Sequence, residues 1–140
     1  MILDAQALFD DNQQHLTTEA SANLLDLGEA RNIGVGENLY VVAVVKTAMV
    51  GASALALTLE TDDDSAFGSA TTRQTIGSFP AASAVGTRLV AKLAPDVINE
   101  RYLRGKWTKD STDNSAGKFT VGITKDIQAF TAYADGLTIS

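Results

Sequence analysis

The stretch Ala54-Leu55-Ala56-Leu57-Thr58-Leu59-Glu60 decides the fold class, because its leucines fall on every second residue. Successive side chains of an extended chain point to opposite faces. A period of two therefore gathers Leu55, Leu57 and Leu59 on one face and leaves Ala56, Thr58 and Glu60 on the other, as in a half-buried strand. Upstream, Leu39-Tyr40-Val41-Val42-Ala43-Val44-Val45 is apolar on both faces and β-branched, and it follows the turn Asn32-Ile33-Gly34-Val35-Gly36. That combination predicts a central strand. Downstream, residues 87–93 and 101–108 read the same way, and in residues 118–124 Phe119, Val121 and Ile123 share a face.

Turn chemistry separates these runs at Thr61-Asp62-Asp63-Asp64-Ser65, Ser78-Phe79-Pro80, Ala94-Pro95-Asp96 and Asp135-Gly136. The polar segment 110–117 predicts a loop joining two strands into a hairpin. Both prolines fall in turns, as strand pairing requires. The expected fold is all-β: an antiparallel jelly-roll sandwich or a barrel, formed as a single domain over residues 1–140. Two regions read either way. Ala5, Leu8 and Phe9, and again Ile127, Phe130 and Tyr133, fit a helical turn or an edge strand, and residues 1–14 could be an N-terminal arm.

Composition narrows the function. With 140 residues, 45 % of them apolar and 20 % charged, the chain can bury a core unaided. It has no cysteine, which removes disulfides and thiolate metal sites. The formal net charge of −6 repels phosphate backbones, so direct nucleic-acid binding is not expected. No apolar run is long enough to span a membrane and no basic leader precedes one, so synthesis in cytoplasm is expected.

Catalytic constellations are missing. His15 is the single histidine, so it reads as a surface or interface residue rather than a general base. Gly34-Val35-Gly36 has Leu39 where a dinucleotide loop needs its third glycine. Ser115-Ala116-Gly117-Lys118 matches S-x-x-K by letter alone. Asp10 and Asp11 are adjacent and point to opposite faces, so they form no acid/base dyad. Asp62, Asp63 and Asp64 could offer carboxylates to calcium, but they lack EF-hand spacing and read first as a solvated turn. No catalytic, cofactor or metal residue is assigned. Residues 101–108 place Arg101, Arg104 and Lys106 beside Tyr102 and Trp107, which makes this the most basic segment of an acidic chain. It could face an acidic partner, with Trp107 serving as anchor or as core.

Several segments in their order along the chain carry a resemblance. These are Met1-Ile2-Leu3-Asp4, Asn23-Leu24-Leu25-Asp26-Leu27-Gly28, Ile33-Gly34-Val35-Gly36, Leu39-Tyr40-Val41-Val42, Arg101-Tyr102-Leu103-Arg104 with Trp107, and Gly117-Lys118-Phe119-Thr120-Val121-Gly122-Ile123. Together they are similar to the capsid cement, or decoration, proteins of tailed bacteriophages, the group that includes the cement protein of a Bordetella phage. The resemblance implies a jelly roll on the outer surface of the virion. Such a protein binds the major capsid protein as a homodimer and ties neighbouring capsomers together, with no cofactor. Candidate partner contacts are Ile2, Leu3, Leu8 and Phe9 near the N-terminus, with Arg101, Arg104 and Trp107. Either chain end, residues 1–14 or 137–140, could add to a neighbour's sheet edge. The rival expectation is a carbohydrate- or calcium-binding jelly-roll module using Asp62, Asp63 and Asp64.

Overall fold

A computed structural model describes residues 7–29, 38–94 and 99–125. Among them are eight strands: β1 (Leu8–Gln14), β2 (Glu19–Asp26), β3 (Tyr40–Val50), β4 (Leu55–Asp62), β5 (Thr71–Phe79), β6 (Arg88–Lys92), β7 (Tyr102–Lys109) and β8 (Ala116–Thr124). They form two four-stranded antiparallel sheets, β1-β8-β3-β6 and β2-β7-β4-β5. This order, in which strands pair from the two ends of the sequence inward, is the jelly roll.

The alternation that predicts the strands also locates the core. Leu55, Leu57 and Leu59 of β4 are fully buried, as are Leu103 and Trp107 of β7, and Val41, Ala43 and Val45 of β3 meet them from the other sheet. Trp107 stacks near Phe119 and Phe79, with ring centroids 4.6 and 6.1 Å apart. Burying such rings contributes roughly 1.5–3 kcal/mol each.

Two sequence expectations are corrected here. Residues 110–117 do not close a hairpin, because β7 pairs with β2 and β4 while β8 pairs with β1 and β3. The segment crosses between sheets instead. Its turn is held by Asn114, whose side chain bonds the backbone of Ser53 in both directions. Ser78 and Phe79 end β5 rather than forming a turn, and Phe79 is fully buried.

β1 is an edge strand, so Leu8 and Phe9 are extended rather than helical. Its pairing with β8 slips at Asp10 and again before Gln13, and Asn12 adopts φ 50°, with its N–H donating to Thr120 Oγ1 at 3.0 Å. The irregularity lets the neighbours Phe9 and Asp10 both turn toward the core, where a regular strand would send them to opposite faces. Ile127, Phe130, Tyr133, the turns at 32–36 and 135–136, and Pro95-Asp96 of the turn at 94–96 lie outside the described residues.

Candidate functional site

The β1 irregularity produces a buried polar cluster. Asp10 is fully buried, and its Oδ2 accepts from Trp107 Nε1 at 3.0 Å while Oδ1 accepts from the Ala22 N–H at 2.7 Å. His15, just past β1, is only 2 % exposed and lies over Trp107 at 5.2 Å between ring centroids. Its Nε2 is 2.9 Å from Asp10 Oδ1 and its Nδ1 is 3.0 Å from Glu19 Oε1. The ring N–H directions miss hydrogen-bond lines, so these contacts act as ion pairs and favour imidazolium. Burial pushes the His15 pKa down, but Asp10 and then Glu19 outweigh it, and the net shift is upward. His15 is thus a core residue and not a surface one. Both its nitrogens face carboxylates, and it holds β1, β2 and β7 together.

Most cations on and beside the other sheet are paired with carboxylates, Lys106 of β7 being the exception among the described residues. Arg101 grips Asp26 through Nε and Nη2 at 2.9 and 3.0 Å. That pairing, with the Gly28 N–H, lowers the Asp26 carboxyl to about 2. Arg104 Nε donates to Glu60 Oε2 at 3.0 Å, and its guanidinium lies 4.1 Å from the Phe67 ring centroid. Arg73 pairs with Glu100 and donates to Thr61 Oγ1 at 2.7 Å, and Thr61 in turn donates to Glu100 at 2.7 Å.

The triple aspartate is likewise committed. Asp62 accepts from the N–H groups of Asp64 and Ser69, which hold its carboxyl below the usual range. Asp64 accepts from Ala66 N–H, and Asp63 from Arg101 N–H. These bonds shape the loop between β4 and β5. Among the described residues no three acids or histidines converge as a metal site would require.

The residues expected to contact a partner separate into three groups. Phe9 and Trp107 are fully buried and are corrected to core, since a ring with no accessible surface cannot anchor a rigid partner. Arg101 and Arg104 lie on β7 and its entry, carrying the ion pairs just described, and Leu8 is half-buried on the edge strand. Ile2 and Leu3 lie outside the described residues, as does the segment 137–140. Ser115 Oγ donates to the Val50 carbonyl at 3.3 Å, and Lys118 is an exposed residue of β8. Asp11 is exposed while Asp10 is buried, so the adjacent pair is split as its spacing predicts.

One surface escapes sequence inspection. The adjacent strands β8, β3 and β6 carry Lys46, Arg88, Lys92 and Lys118, all exposed. Its signal in the sequence is the absence of any Asp or Glu from these three strands, which becomes visible only once they are known to be neighbours.

A sandwich with this strand order, whose polar side chains hold strands and loops in place, falls in the class of jelly-roll β proteins. Within that class the chain belongs to the Bbp16 family, whose family model matches residues 9–123. No curated protein matches it. Among solved structures it is similar to the CBM22-1–GH10 modules of the N-terminal endo-1,4-β-D-xylanase 10B of Clostridium thermocellum, complexed with xylohexaose. The TM-score is 0.47 at 16 % identity, covering 94 % of this chain and 29 % of that one.

Proposed function

We propose that the chain is a structural capsid decoration protein. It binds the outside of an assembled phage head, engages the major capsid protein, and as a homodimer ties neighbouring capsomers together against the outward push of packaged DNA. Membership of the Bbp16 family over residues 9–123 is the observation that carries this reading, since the family name points to a phage protein. The structure adds support of a physical kind. The described residues form a tightly packed strut with its one histidine locked inside.

The mechanism is mass action. A protein that binds only the assembled lattice stabilises it by RT ln(1 + [L]/Kd) per site. A dimer reaching two capsomers makes its second contact intramolecular, so modest single affinities become firm attachment.

Sedimentation of the purified protein with expanded, undecorated phage shells tests the proposal, and saturable co-sedimentation is expected. Folded protein that stays in the supernatant at all concentrations would overturn it. The rival module reading has its own test, because a large saturable rise in melting temperature with calcium would favour it.

A further inference from the structure

Charge is sorted by face in this molecule. Strands β8, β3 and β6 are contiguous and hold no aspartate or glutamate, in a chain that has 17 acidic residues. They hold Lys46, Arg88, Lys92 and Lys118, and none of these four is in an ion pair among the described residues. On and beside the opposite sheet, Arg73, Arg101, Arg104 and Lys109 each have an acidic partner, and only the half-buried Lys106 has none among the described residues.

Exposed apolar surface follows the same division. Of the exposed large hydrophobic residues among the described residues, Val50, Val85 and Val90 belong to this side, at 53, 42 and 39 % exposure, and Leu24 of β2 alone to the other. Val90 points outward from β6, because its neighbours Leu89 and Ala91 pack on the core. Val85 lies in the loop before β6, which runs beside the second half of β3: the Gly86 N–H donates to the Val45 carbonyl and the Met49 N–H to the Ser83 carbonyl, both at 2.9 Å. Val50 closes the same strand. The middle of the face is closed at Val42 and Val44, so the accessible parts are its β6 margin and the adjoining end where Lys46 and Lys118 lie on neighbouring strands.

Two ordinary explanations account for part of this pattern. Cations on an edge strand block edge-to-edge aggregation, which suits Arg88 and Lys92. Lys46 and Lys118 stand on the interior strands β3 and β8, where no edge needs protection. Single exposed valines are commonplace, but three along one margin beside unneutralised cations are not scattered.

We infer that the outward face of the β1-β8-β3-β6 sheet, along its β6 margin, is a docking surface for an acidic protein surface with an apolar centre. Carboxylates of that partner would meet Lys46, Arg88, Lys92 and Lys118, and its apolar side chains would cover Val85 and Val90. The inference rests on the decoration reading, and the acidic surface it names is the outside of the shell. A nucleic acid would satisfy the cations but leave the valines bare, and it would be repelled by the net charge of −6.

The test compares charge-matched variants in the co-sedimentation assay. Arg88→Gln with Lys92→Gln removes two positive charges from the face. Thr75→Glu with Thr108→Glu adds two negative charges at exposed positions on the opposite sheet. The first pair is expected to weaken shell binding about tenfold and flatten its salt dependence, while the second leaves binding near wild type. Val90→Asp should weaken binding while leaving the circular dichroism spectrum intact. Equal effects of the two charge pairs, or wild-type binding by Arg88→Gln/Lys92→Gln, would overturn the inference alone. So would loss of the dimer with shell affinity unchanged, which would mean that a second copy occupies the face. Failure of the wild-type protein to bind any shell would remove the decoration reading and this inference together.

Discussion

His15 Nε2 lies 2.9 Å from Asp10 Oδ1, while the other oxygen of the same carboxylate takes the Trp107 indole N–H. One buried carboxylate therefore links a titratable ring to the largest side chain of the core. The folded-state pKa of His15 is raised above its ordinary 6.5. A raised pKa means that folding favours the protonated form. The stabilisation is fully present below pH 6.5 and is lost as pH rises through the folded value. The melting temperature of the wild type, relative to His15→Gln, should stay level in mild acid and fall on the alkaline side of 6.5. An imidazole titration midpoint at or below 6.5, read by NMR, would remove the ion-pair account.

Trp107→Phe keeps most of the aromatic bulk but deprives buried Asp10 of a donor. Leaving that acceptor short should cost about 1–3 kcal/mol in urea unfolding. Trp107→Ala adds a cavity and should cost about 3–5 kcal/mol. A loss for Trp107→Phe within error of zero would show that the Asp10 bond contributes nothing.

Arg104 tests whether a β7 cation serves the fold or a partner. It stacks on Phe67 and bonds Glu60, which is only 9 % exposed. Arg104→Met should lower stability by about 1–3 kcal/mol because it strands that carboxylate. Paired with Glu60→Gln, it should show a coupling of about 0.5–3 kcal/mol in a double-mutant cycle. Unchanged stability with weakened shell binding would return Arg104 to the partner surface.

Gly51 follows β3 at φ +140°, and an added Cβ would stand 2.9 Å from Asn114 Cα, nearer still to its side-chain oxygen. Gly68 meets nothing closer than 4.0 Å and has no such backbone angle. Gly51→Ala should therefore cost more than about 1 kcal/mol, against a near-neutral Gly68→Ala. Equal melting temperatures would show that the Asn114 bridge yields easily.

The sequence was most legible where side chains alternate strongly. Leu55, Leu57, Leu59, Phe119 and Val121 announce both their strands and their inward faces. β2 and β5 were silent because their apolar residues are few: EASANLLD and TTRQTIGSF are half-covered strands whose burial depends on their neighbours. The supposed hairpin at 110–117 failed for a related reason, since a turn-rich loop does not say whether it returns to its own sheet or crosses to the other. His15 was invisible as a core residue because its partners Asp10 and Trp107 are brought to it by a strand irregularity and by a strand far along the chain. The cationic face likewise exists only through strand order, which no local pattern encodes.

The pairing of β1 with β8 sets Asp10 opposite Val121, nearly the whole described length of the chain apart. Its consequence lies in time rather than in space. During synthesis β1 has no sheet partner among the described strands until β8 has emerged from the ribosome, so Phe9 and Asp10 wait for their sheet while the strands between are made. Closure of such distant pairs belongs to the slow regime of folding, milliseconds to seconds rather than microseconds. A net charge of −6 opposes association of neighbouring copies while such an edge is open.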